Sequence, residues 1–394
     1  MRALLLLEHR FKRNINTGKI YASSNSISIE LWQRYLNVFN KLSVLARIED
    51  VNESIEDKYL VEHKDVKFVC IPFYIGPKGF LTKILSIRKV LKNCIHKDMC
   101  YILRLPSISG TILSKMLYNR KIPFVVELVG DPWEVFDSGA FQSTLVTFHK
   151  YRSTYLLKNR VKKASGVIYV TSKTLQKKYP VASGIPTVSA SNVILLKEHI
   201  SESAKIFAKN PEFEEVKLIS VGSLSQLYKS PDLAIRAIQI LRKEGFKVVL
   251  KWLGDGKYLD EMKKLVQELN LTNHIHFTGN IPKEKVMNEL ADSDLYIHPS
   301  RTEGLPRAVI EAMALGLPCI ASNVGGIHEL LQDNTLLPEI SSHSLASLIK
   351  HFITDANKMN AAAAANLIMV KEYEHSKLNQ RRQKIYKHLL NLTK

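Results

Sequence analysis

Short, β-branched apolar runs without polar alternation recur along this chain, and helical stretches separate one from the next. Ala3–Leu7, Leu42–Ile48, Val66–Phe73, Met99–Leu105, Phe124–Val129 and Val167–Thr171 are such runs in the first half. Lys217–Val221, Val248–Leu253, Ile275–Thr278, Leu295–His298, Cys319–Ser322 and Leu336–Leu337 are those of the second. A half-wet antiparallel sheet would alternate polar and apolar residues, whereas uninterrupted runs suit parallel strands covered on both faces. Parallel neighbours need crossover segments, and Pro231–Lys243 and Asp260–Leu269 have the helical period. The pattern predicts an α/β protein with two doubly wound, Rossmann-like domains.

Length agrees, because 394 residues exceed what one hydrophobic core usually serves. The polar stretch 197–215 breaks the pattern and is the expected linker. It leaves an N-terminal domain at 1–196, a C-terminal domain at 216–368 and a charged helix at 369–394. The first residues, MRALLLLEHRFKR, hold too short an apolar run for a signal peptide or a membrane span. No other window approaches 18 apolar residues. A soluble or peripheral, cytoplasmic protein is expected. Cys70, Cys94, Cys100 and Cys319 form no CxxC pair, and Cys70 and Cys319 sit in apolar runs. They read as buried free thiols in a reducing compartment.

The densest chemistry lies between Ser300 and Glu329. Pro306 suits a first helical turn, where its missing N–H costs nothing. Leu305, Val309, Ala312 and Met313 follow at helical spacing. Amides near Gly304, Leu305 and Pro306, at the positive end of that helix, would seat an anion such as a phosphate. Glu303 precedes the seat and Glu311 lies about one and a half turns into the helix. A diphosphate there could carry one group near Glu303 and another near Glu311, where a carboxylate can hold a vicinal diol.

These residues, EGLPRAVIEAMALGLPCIASNVGG, resemble the Glu-x7-Glu signature of glycosyltransferase family 4, retaining enzymes of GT-B fold that use nucleotide sugars. VGSLSQLYKSPDLAIRAI, WLGDG, HFTGNIP and DLYIHPS stand upstream in the family's order. The resemblance covers about residues 217–330 closely and the first half weakly. It implies two Rossmann-like domains facing a central cleft, with the donor held chiefly by the second. On that reading Glu311 holds the ribose, and Glu303 orients the transferred sugar. Gly222, Ser223 and Lys229, with the Gly304–Pro306 turn, hold the diphosphate. The family carries an arginine where this chain has Ser223, so Tyr228 or a basic residue of the first domain would have to compensate. Gly18, in a loop after the first strand and a basic turn, is either a donor-side glycine or a plain turn glycine. Relatives place a histidine near Val125–Glu134. This chain offers Asp131, either a contact for the acceptor hydroxyl or a turn residue. Asn192 matches a family Asn-Gly, with Val193 replacing the glycine.

Asp292-Ser293-Asp294 looks like a metal-binding DxD, but it ends a helix before a buried strand, which favours a cap. His274 and His276 share a strand face without a third ligand at metal-site spacing. No metal and no cofactor beyond the nucleotide-sugar co-substrate is expected. The net charge of +19 calls for an anionic partner. No nucleic-acid signature is present, so a membrane surface is the better reading. Ile84–Lys92 and His149–Lys163 interleave apolar and basic residues. Each is either an amphipathic core helix or an interfacial segment. The expected function is transfer of a sugar from a nucleotide-sugar donor to a glycan acceptor linked to polyprenyl diphosphate or another lipid, in surface polysaccharide (O-antigen, lipopolysaccharide or capsule type) biosynthesis at the inner membrane face. A GT-B epimerase or phosphorylase, or a non-catalytic binder of anionic surfaces or nucleic acid, are the alternatives.

Overall fold

The computed structural model describes all residues except 24–26, 28, 54, 138–145 and 209–214, so part of the expected linker lies outside it. The first half holds β1 (Arg2–Asn14), β2 (Ile20–Ala22), β3 (Lys41–Val51), β4 (Val66–Pro72), β5 (Met99–Leu105), β6 (Phe124–Leu128), β7 (Gly166–Tyr169) and β8 (Thr187–Ser189). Its helices are α1 (Glu30–Leu36), α2 (Gly76–Asn93), α3 (Ile108–Asn119), α4 (Pro132–Asp137), α5 (Val146–Lys162) and α6 (Thr174–Lys178). The second half holds β9 (Val216–Val221), β10 (Val248–Leu253), β11 (Ile275–Gly279), β12 (Leu295–His298), β13 (Cys319–Ser322) and β14 (Leu336–Leu337). Its helices are α7 (Pro231–Lys243), α8 (Leu259–Glu268), α9 (Lys283–Ala291), α10 (Arg307–Ala314), α11 (Ser342–Ile353), α12 (Ala356–Val370) and α13 (His375–Thr393).

Two sheets result, ordered β4-β3-β1-β5-β6-β7-β8 and β11-β10-β9-β12-β13-β14. Every pairing along both paths is parallel, and only the short β2 runs antiparallel, against β1. The doubly wound expectation holds. Strand order reverses at β1 in one sheet and β9 in the other, which puts crevices at the strands' carboxyl ends.

Local sequence explains the helices that matter for the site. Pro231 opens α7, and Ala234, Ile235, Ile238 and Leu241 bury one stripe. α10 buries Val309, Ile310, Ala312 and Met313. It stops at Gly316, whose φ of 62° favours glycine. Pro306 caps α10 from outside, one residue earlier than a first-turn position.

Three expectations are corrected. The basic turn after the first strand is itself strand: β1 slips its register on β3 between Leu6 and Arg10, then continues to Asn14. Phe11 stays inside while Arg10 faces water, and Lys12 lies on the same face of the strand as Arg10. Cys70 is exposed, because β4 is a sheet edge, whereas Cys319 is buried. The charged C-terminal stretch is broken: α12 ends at Val370, a short 3-10 turn brings Tyr373 inside, and α13 starts at His375. α13 packs on β5, β6, β7 and β8, and Tyr386 donates to Glu127 within the first domain.

Candidate active site

Loops from the carboxyl ends of both sheets meet between the domains. A Cβ on Gly304 would lie 2.6 Å from the Val129 carbonyl oxygen, and one on Gly326 would lie 2.7 Å from Thr171 Cγ2. The Glu329 carboxylate accepts from the amides of Lys173 at 3.0 Å and Thr174 at 2.6 Å, and from Ser172. Only residues without side chains allow so close an approach, which accounts for Gly304 and Gly326 between the domains, and for Gly325 against the Glu303 backbone within the second.

Glu303 is the centre of the second domain's contribution. Its Oε1 lies 2.5 Å from Lys229 Nζ and 2.7 Å from His298 Nε2. Burial alone would raise its pKa, but Lys229 and then His298 bring it down to about 2. Lys229 is raised: burial opposes its charge, and the Glu303 carboxylate outweighs that. His298 is lowered by burial and by Lys229, so the imidazole is neutral at physiological pH. The bonding pattern then assigns Nε2–H to Glu303 and lets Nδ1 accept from the Tyr296 hydroxyl at 3.0 Å. Both contacts use Oε1, leaving Oε2 without a partner among the described residues.

The Lys229 loop is held from behind. Arg301 pairs with Asp232 at 2.8 Å, bonds the Leu227 carbonyl at 2.9 Å and the Ser230 hydroxyl at 2.9 Å. A Cβ on Gly222 would lie 3.1 Å from the Lys229 Cγ, so the bare glycine seats the lysine stem. Ser223 faces its own loop, bonding Ser225 at 3.1 Å and the Asp255 carbonyl at 3.3 Å. The amides of Gly304 and Leu305 donate to no protein acceptor among the described residues. Glu311 is half-buried, has no hydrogen-bond partner among the described residues, and is raised by burial against Arg307 and Lys283. Gly222, Lys229, His298 and Glu303 thus form one cluster, Ser223 turns to its own loop, and Glu303 and Glu311 both retain accepting capacity.

The first domain contributes differently. Asp131 is buried, and its oxygens take the Trp133 amide at 2.9 Å, the Tyr179 hydroxyl at 2.5 Å and Lys178. It organises the start of α4 and presents no free oxygen. Glu134, one turn on, is the group turned to the other domain: the Thr302 hydroxyl donates to its Oε2 at 3.4 Å. Burial, then the Asp131 charge, push Glu134 up to about 7. Gly18 sits in an exposed turn between β1 and β2 at φ 71°, with nothing near a Cβ placed there, and does not join the cluster. His9 lies at the slip in β1, and its pKa falls to about 4 through burial and the charges of Arg104, Arg307, Arg47 and Arg10. Its Nε2 is buried with no acceptor among the described residues. His298, Arg301, Glu134 and His9 were not singled out from sequence. A polar residue ending a buried strand is the signal that points to His298.

Asp292-Ser293-Asp294 lies where α9 ends and β12 begins. Ser293 bonds the Glu289 carbonyl at 2.8 Å and Asp294 takes the Lys217 amide at 2.9 Å. Among the described residues no three His, Cys, Asp or Glu side chains group as metal ligands.

Two facing Rossmann-like domains, with the strand-end loops converging between them, define a GT-B protein. The solved structure of Anabaena HepE in complex with UDP-glucose superposes with a TM-score of 0.67 at 17% identity, over 98% of this chain and 99% of that one. The description "Glycosyl transferases group 1" matches residues 202–367. Protein CapJ of Staphylococcus aureus is 32% identical over 98% of this chain and 96% of CapJ. The amylovoran biosynthesis glycosyltransferase AmsK of Erwinia amylovora is 30% identical over 34% of this chain and 35% of its own length. The chain belongs to the group 1 glycosyl transferases.

Proposed function

We propose that this protein is a retaining family 4 enzyme that moves a sugar from a nucleoside diphosphate to a glycan acceptor in surface polysaccharide biosynthesis. The observation that carries the donor assignment is the Lys229–Glu303–His298 cluster beside the unpartnered Glu311. Glu311 would take the ribose hydroxyls, and Lys229 with the Gly304 and Leu305 amides would take the diphosphate. Oε2 of Glu303 would receive a sugar hydroxyl. The acceptor oxygen would form its bond to the anomeric carbon on the face from which the diphosphate oxygen leaves. The acceptor's proton would pass to that departing oxygen, and the fixed cation and amides would stabilise its charge. With Asp131 engaged elsewhere, Glu134 would be the first-domain carboxyl that meets the acceptor, a reading supported by its bond to Thr302 of the other domain. The bound UDP-glucose of HepE and the name of AmsK support the donor class and the polysaccharide context.

The acceptor would be lipid-linked and presented at an anionic membrane face. Support comes from α5, where Phe148, Tyr151 and Tyr155 are 60%, 62% and 66% exposed among basic residues, and from exposed Leu81 and Leu85 on α2. No described helix is long and apolar enough to cross a membrane, so attachment would be peripheral. The test is transfer by the purified protein, with EDTA present, from nucleotide sugars to lipid extracts, read by mass spectrometry of the glycan. Hydrolysis or transfer without added metal is expected. A strict requirement for Mg²⁺ or Mn²⁺ would overturn the diphosphate assignment, and absence of any transfer would overturn the enzyme reading.

A further inference from the structure

We propose that a compact inorganic anion, chloride or phosphate, is held by Arg34 and His375 beside the Arg382 charge, where α1, α13 and the segment 191–195 meet. Both guanidinium groups are buried, at 2% and 1% exposure. Arg34 Nη1 donates to the Asn192 side chain at 3.1 Å, while its Nε and Nη2 are buried without an acceptor among the described residues. Arg382 bonds the Ser191 carbonyl and, at 3.3 Å, the Asn379 side chain. His375, bonded to Asn379 at 2.7 Å through Nε2, leaves Nδ1 buried and likewise unpartnered.

The protein's own negative charge does not answer this cluster. Glu127 is the carboxylate near both arginines, yet its oxygens take Arg104 at 2.8 Å, Tyr35 at 2.9 Å and Tyr386 at 2.5 Å. Burial and the neighbouring Arg34 bring Arg382 down to about 9, a sign of like charges held together away from water. Uncompensated buried charge is strongly destabilising, and buried donors are almost always satisfied by protein, water or an ion. Three donors from two elements and two like charges point to an anion in preference to water. Lys283 of the second domain, bonded to the Ile194 carbonyl at 3.0 Å, adds a further positive charge felt by His375. The anion would therefore pin α13 and the strap 191–195 to the first domain. This site is separate from the sugar-transfer centre and does not depend on that assignment.

The experiment melts the full-length protein in sodium chloride, sodium phosphate or sodium gluconate at matched ionic strength, beside Arg34→Gln. A small-anion effect in wild type of about 3 °C at tenfold the dissociation constant is expected, absent with bulky gluconate and lost in the variant. Saturation in chloride or in phosphate alone identifies the ion. Equal melting in all three salts overturns the proposal and leaves water as the partner, and an equal rise in Arg34→Gln places the effect elsewhere. If the variant does not fold, wild-type crystals soaked in bromide decide. An anomalous peak at bonding distance from the Arg34 guanidinium and His375 Nδ1 supports the site, and its absence overturns it.

Discussion

Gly304 of the second domain and Val129 of the first touch backbone to backbone, so closely that a methyl group on Gly304 would come 2.6 Å from the Val129 oxygen. The loop before α10 is thereby packed on the β6–α4 turn, and at this point the two halves of the site meet with no side chain in between.

Gly304→Ala should force these loops apart. Overpacking typically costs about 1–3 kcal/mol, which would lower the population of the closed form about 5- to 150-fold. Turnover should fall accordingly while the melting temperature changes little, and small-angle scattering should report a more open molecule. Unchanged turnover would show that this contact is not needed in the reacting state.

Lys229 and Glu303 stabilise one another. Lys229→Met should cost about 3–5 kcal/mol in urea unfolding, because it leaves a buried carboxylate without its cation. Adding Glu303→Gln should return part of that loss. Glu303 has a folded pKa near 2, below the usual value, so its contribution is complete above about pH 4.5 and is lost as pH falls toward 2. The gap between wild type and the double variant should narrow over that window.

Glu311→Ala should weaken binding of the donor's nucleoside diphosphate by about 1.5–3 kcal/mol, roughly 10- to 150-fold. Calorimetry measures it. Equal affinity in a folded variant would remove Glu311 from the ribose.

Glu134 should leave a trace in both activity and stability. With a pKa near 7 it ionises in the physiological range, so kcat/KM should rise with pH through about 7, and Glu134→Gln should flatten that limb. The folded carboxyl keeps its proton after the unfolded one has lost it. Wild type should therefore lose stability as pH climbs from about 4.5 to 7, and the Gln variant should not.

Periodicity made the fold legible. Met99–Leu105, Val248–Leu253, Leu295–His298 and Cys319–Ser322 are strands with the bounds read from sequence, because apolar β-branched runs flanked by turns leave little choice. Thr187–Ser189 was missed, being short and at a sheet edge where burial imposes no pattern. Gly222 and Lys229 follow β9 while Glu303 and Glu311 follow its neighbour β12, so two local strand–loop–helix units present them at the same sheet edge. The first-domain side was less readable, since it depends on long-range partners. Nothing local to Gly-Asp-Pro says that Lys178 and Tyr179 will engage Asp131 and leave Glu134 facing the other domain. Likewise the slip in β1 that turns His9 toward Arg307 is a property of pairing with β3, not of the residues before Gly18.

The hydroxyl of Tyr386 reaches Glu127 across 259 residues of chain. On the ribosome the first domain is made long before that hydroxyl exists, and its interior carboxylate must wait with Arg104 and Tyr35 alone. The last helix then completes a domain begun several hundred residues earlier, after the whole second domain has emerged. Order of synthesis and order of completion are therefore reversed here. A fragment ending at the linker would be a half-finished domain, lacking the hydroxyl that α13 brings to Glu127.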